Sequence, residues 1–132
     1  MSELNATLDL PLGNAAPTAA RRAVRHMLIA WQLSDADWLD DAELVVSELV
    51  TNAVRHGGGC IELSLESHEG RVILRAADGS SVVPRDRGPH DGGGYGIRVI
   101  ESCSDAWGVD DFHGGKRVWV RLRACPSAGL GG

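Results

Sequence analysis

The sequence predicts an α/β protein, a two-layer sandwich of sheet and helices, and three observations lead there. The elements run in the order β-α-α-β-β-loop-α-β-β, the strands are joined mostly as hairpins, and the helices carry apolar stripes that need covering. A doubly wound parallel sheet would alternate strand with helix throughout, which this order does not do. With 132 residues, 43% hydrophobic and 23% charged, the chain is sized and composed as one globular domain.

Taken in order, residues 4–10 read as a short strand with Leu4, Leu8 and Leu10 on one side, and Gly13 to Pro17 break it. Residues 1–17 are thus an N-terminal strand and linker, and the main domain spans 18–123. From Thr18, an N-cap residue, Ala20, Val24, Met27, Leu28 and Trp31 recur at helical spacing, with Arg21, Arg22 and Arg25 opposite them as a solvated face. Ser34 or Asp35 caps a longer helix that runs to about His56, where Gly57 to Gly59 end it. CIELSLES and RVILRAAD around the turn HEG read as an antiparallel hairpin. GSSVVPRDRGPHDGGG is a loop. YGIRVIESCSDAW resumes helical spacing through Ile97, Val99 and Ile100, and strands follow at Trp107–Phe112 and Lys116–Arg123. CPSAGLGG, within 124–132, reads as a flexible tail.

The net charge of −5 and pI near 5.4 leave no basic stripe for a phosphate backbone, so nucleic acid is excluded as a direct partner. No apolar run approaches the ~20 residues a membrane span needs, and MSELNATLDL has neither a basic n-region nor an apolar h-region. The expectation is a soluble, cytoplasmic protein. Cys60, Cys103 and Cys125 are odd in number and widely spaced, which reads as three reduced thiols rather than disulfides or a zinc site.

Residues 43–59, ELVVSELVTNAVRHGGG, hold an oddity: Glu48 and Asn52 lie four residues apart in an otherwise apolar helix. At ~100° per residue, Asp41, Glu48, Asn52 and Arg55 share an arc of roughly 60°, with Val46, Leu49, Val50 and Ala53 on the far side. Leu44 and Val45 flank the arc. Two readings stand at this point, a solvated face or a site that holds an acid beside an amide. Asp78, at the end of the hairpin's second strand in Ala77-Asp78-Gly79-Ser80, could accept the exocyclic amine of a planar base. Alone, Asp-Gly is only a turn signal. Gly92-Gly93-Gly94-Tyr95-Gly96 opens a helix, where glycines and exposed N–H groups suit a phosphate.

Together and in this order, these segments resemble the GHKL ATPase superfamily. ELVTNAVRH is similar to its N box (43–59 here), ADGS to its first glycine box (76–82) and GGGYGIRVIE to its second (92–101). With the endings SDAWG and GGKRVWVRL, the chain resembles the stand-alone anti-sigma-factor serine kinases abundant in actinobacteria. The resemblance implies a Bergerat fold, a mixed, mostly antiparallel sheet covered on one face by three helices. It implies ATP or ADP with Mg²⁺ as cofactors, Glu48 as general base and Asn52 as Mg²⁺ ligand. Arg55 would reach phosphate, Asp78 with Gly79 and Ser80 would hold adenine, and Gly92, Gly94, Tyr95 and Gly96 would cradle phosphates beneath an ATP lid at 81–93. It also implies a sigma factor and a small anti-anti-sigma (STAS-type) antagonist as partners, and a homodimer.

The chain departs from the superfamily pattern where Ser80 and Val82 stand at glycine positions of the first glycine box, and where Arg117 replaces a threonine. Two functional classes follow. One is an ATP-dependent serine kinase that phosphorylates the antagonist and switches partners. The other is a non-catalytic, nucleotide-binding or degenerate regulator that acts by protein binding alone.

Overall fold

A computed structural model describes residues 3–10, 13–57, 62–78, 96–112 and 115–126. The elements are β1 (Glu3–Leu8), α1 (Ala16–Ala30, led in by a 3-10 turn at Gly13–Ala15), α2 (Ala36–Gly57), β2 (Glu62–His68), β3 (Arg71–Asp78), α3 (Gly96–Cys103), β4 (Ser104–Phe112) and β5 (Gly115–Leu122). The strands form one sheet in the order β1-β2-β3-β5-β4. Every pair in it is antiparallel, so the expected mixed sheet has no parallel pair among the described strands.

The pleat sorts side chains by period two, and the register stacks them in rows. One row runs Ala6, Leu65, Leu74, Val120, Trp107 and the next Leu8, Leu63, Ala76, Val118, Val109. Leu63, Leu65, Leu74, Ala76, Val118 and Val120 are buried, and α1 and α2 supply the opposing layer through Val24, Leu28, Val45, Val46 and Val50, all at 0% exposure. The sheet and helices therefore share one hydrophobic core. Glu69 and Gly70, both at positive φ (54° and 83°), link His68 to Arg71 as a two-residue turn. Positive φ at both positions matches the twist of a tight hairpin.

The helix ends differ from expectation in instructive ways. α1 starts at Ala16, ahead of Thr18, with Pro17 in its first turn and no side-chain cap. Proline belongs there because its missing N–H is not needed and its φ is already helical. The Thr18 hydroxyl instead accepts a hydrogen bond from Arg21 at 3.3 Å. At the other end, Leu33 N–H bonds to Leu28 C=O and Gln32 N–H to Ile29 C=O, both at 2.9 Å, with Gln32 at φ 66°. This is a Schellman closure with glutamine in the left-handed position. Asp35 caps α2, accepting from Trp38 N–H at 2.9 Å.

The helical reading of 95–107 overran, because α3 ends at Cys103 and Ser104 already pairs in β4. Ser102 Oγ donates to Val99 C=O at 3.0 Å, an alternative to continued backbone pairing. The arginines of α1 also depart from expectation. Arg21 donates to Ser47 Oγ at 3.3 Å, and Arg25 bonds to Glu43 and to Asp40, so two of the three tie α1 to α2; Arg22 stays exposed. Beyond β5, Cys125 is 3% exposed and its N–H bonds to Gly70 C=O at 3.4 Å. Cys103 and Cys125 are buried and form no disulfide. No described helix is long and apolar enough to cross a membrane.

Candidate functional site

α2 positions the acid and the amide. Over its 22 residues, Val46, Leu49, Val50 and Ala53 are at most 2% exposed, while Glu48 and Asn52 are half-buried on the neighbouring side. One turn apart on one helix, the two side chains project side by side, with Cβ atoms about 5–6 Å apart. Of the two apolar residues that flank them, Val45 is fully buried and Leu44 is 45% exposed. Asp41 is exposed.

The same helix packs against α3 and β3. α3 begins at Gly96 and β3 ends at Asp78, so three elements carrying expected site residues are neighbours in the fold. The side chains of Arg55 and Asp78, together with Gly79, Ser80, Gly92, Gly94, Tyr95 and the 81–93 segment, lie outside the described residues.

Next to the Ala76 and Val118 row comes a polar one. Asp78 is the register partner of Lys116, and Lys116 in turn of Asp111. Lys116 is only 3% exposed and continues the buried alternation of Val118, Val120 and Leu122. An ammonium so placed needs anionic or polar company, and acids occupy both flanking register positions. Sequence reading placed Lys116 at the start of the last strand without giving it a role, although its spacing from Val118, Val120 and Leu122 was a signal for the core face. Arg117, the residue noted in place of a threonine, lies on the alternate face, 4.0 Å from Asp110.

The shifted ionisations belong elsewhere. Arg75 donates to Glu66 at 2.7 Å, and this bond, aided by His68, holds the Glu66 carboxyl below its ordinary range despite some desolvation. Glu66 alternates with buried Leu65 and Ser67 and so lies on the sheet face away from the core. A shallow cleft of about 280 Å³ between α1 and α2, lined by Arg21, Asp40, Asp41, Glu43, Leu44 and Ser47, includes neither Glu48 nor Asn52. Among the described residues, no group of three or more His, Cys, Asp or Glu side chains is placed to hold a metal ion.

Comparison with known proteins agrees with the fold. The family described as histidine kinase-like ATPase domain matches residues 13–123. Among solved structures, a chain of the SiaB–SiaC complex from Pseudomonas aeruginosa is similar, with a TM-score of 0.51 at 12% identity over 89% of this chain and 87% of that one. At that identity the likeness is one of fold. No curated protein sequence matches the chain.

Proposed function

We propose, from the premise that this chain belongs to the histidine kinase-like ATPase domain family, that it is an anti-sigma-type regulatory serine kinase. In this reading it binds ATP with Mg²⁺, phosphorylates a small anti-anti-sigma antagonist, and exchanges that partner for a sigma factor. The observation that carries the reading is the pair Glu48 and Asn52, half-buried and one turn apart on a helix packed against both the strand ending at Asp78 and the helix opening at Gly96. The similar chain was crystallised in a complex with a second protein, which supports a partner-binding role.

The donor set fits the nucleotide. Asp78 would accept a hydrogen bond from the exocyclic amine of adenine with Gly79 and Ser80 beside it, Asn52 would hold Mg²⁺, and the backbone N–H groups of Gly92, Gly94, Tyr95 and Gly96 would donate to phosphate oxygens, with Arg55 alongside. ATP with Mg²⁺ would supply the transferable phosphoryl group and neutralise its charge. Glu48 holds the serine hydroxyl in line and takes up its proton. Positioning and charge stabilisation then carry most of the catalysis. Residues 81–93 serve as the lid, and the protein acts in the cytoplasm.

The test is phosphate transfer from labelled ATP to candidate antagonist proteins by wild type and Glu48→Gln. The amide keeps size and polarity but cannot take the proton, so binding of ATP persists while transfer falls by roughly 10²–10⁴-fold. Equal rates in the two proteins would remove Glu48 from the chemistry. A wild type that binds ATP and phosphorylates no antagonist would leave a non-catalytic regulator.

A further inference from the structure

We infer that Lys116 reads the purine base: its ammonium donates a hydrogen bond to the N1 acceptor of adenine while the Asp78 carboxylate accepts from the exocyclic amine. The inference rests on the nucleotide reading above and extends it to a residue that the sequence motifs did not single out.

Three observations carry it. Lys116 is 3% exposed in a chain whose other buried side chains are almost all apolar; Ser67 is the other buried polar residue among those described. Its alternation with Val118, Val120 and Leu122 puts it on the core face of β5. Its register partner is Asp78, the last residue of β3. Directly opposed positions on antiparallel strands are neighbours in the ladder, so the backbone register sets Asp78 next to Lys116 at one end of the sheet.

Adenine offers the complementary pair on one edge, an amine donor beside a ring-nitrogen acceptor. An acid alone satisfies half of that edge and leaves N1 desolvated. The lysine ammonium has three N–H donors, so it can serve the base while keeping an existing protein partner.

The test compares ATP with 1-deaza-ATP, in which a C–H replaces N1, by calorimetric titration into wild type, Lys116→Met and Lys116→Gln. Loss of one hydrogen bond from a charged donor corresponds to a ten- to hundredfold drop in affinity. Wild type should therefore bind the analogue at least tenfold more weakly than ATP. In Lys116→Met, ATP affinity should fall by a similar factor and the ratio between the two ligands should approach one, while Lys116→Gln, which keeps a donor, should retain part of the discrimination. Equal affinities in wild type overturn the inference even if the methionine variant does not fold. A ratio in Lys116→Met that matches wild type overturns it as well, by giving lysine a purely structural role. Absence of any ATP binding to wild type defeats the nucleotide reading itself, and the first titration alone reveals it.

Discussion

Trp38 fastens the start of α2 to the end of the sheet, and removing that tie gives a stability change that can be worked out in advance. Its indole Nε1 donates to the Arg123 carbonyl at 2.7 Å, and its side chain is only 6% exposed. Trp38→Phe keeps an aromatic ring but deletes the donor. The lost hydrogen bond is worth about 1 kcal/mol. The smaller ring gives up roughly 40 Å² of buried apolar surface, another ~1 kcal/mol at ~25 cal/mol per Å². The sum, about 2 kcal/mol, is a large part of the stability of a domain this size and should lower Tm by roughly 6–10 °C. Urea titration followed by circular dichroism measures it, with an unchanged m-value expected because the folded surface is preserved. A loss below ~0.5 kcal/mol would refute the assignment of Trp38 as a tie between the layers.

Leu74, fully buried at the centre of the sheet between Leu65 and Val120, should cost about 3–4 kcal/mol as Leu74→Ala in the same assay, since the flanking strands cannot close the cavity. Gln32→Gly should raise stability by about 0.5 kcal/mol, because glycine relieves the left-handed backbone at φ 66° while adding some unfolded-state freedom; a loss of stability would contradict the Schellman reading. The Glu66 carboxyl titrates below its ordinary range in the folded chain, chiefly through the hydrogen bond from Arg75. Its stabilisation is therefore present above the unfolded carboxyl's range and is lost as pH falls through the folded value. The stability gap between wild type and Arg75→Met should then narrow from pH 7 to pH 3, and a gap independent of pH would count against the ion pair.

Much of the architecture was legible because the two hydrophobic periods are distinct in this chain. The period-two runs of β2, β3 and β5 and the helical spacing of Val24 and Leu28 fell where the strands and helix lie. The α3–β4 boundary was not legible, since Ile100, Cys103 and Trp107 continue a helical spacing even though Trp107 pairs with Val120 in the sheet. Pro17 looked like a breaker and is instead a helix-starting residue, a distinction that depends on where the first turn falls. The ties from Arg21 to Ser47 and Arg25 to Glu43 join residues 26 and 18 apart, beyond any local pattern. Glu48 and Asn52 were visible because a single helical turn relates them. Lys116 was not, since its meaning arises from a strand register with Asp78 that forms only in the folded sheet.

The central claim, a nucleotide site spanning α2 and the β3 end, is tested most directly by titrating Mg-ATP calorimetrically into wild type, Asn52→Ala and Asp78→Asn. The account predicts saturable one-to-one binding to wild type. It also predicts a ten- to hundredfold loss in each variant, with the Asn52→Ala loss seen chiefly when Mg²⁺ is present and the Asp78→Asn loss seen with or without it. A wild type that binds no adenine nucleotide, or one that binds it with both variants unchanged, would contradict the account.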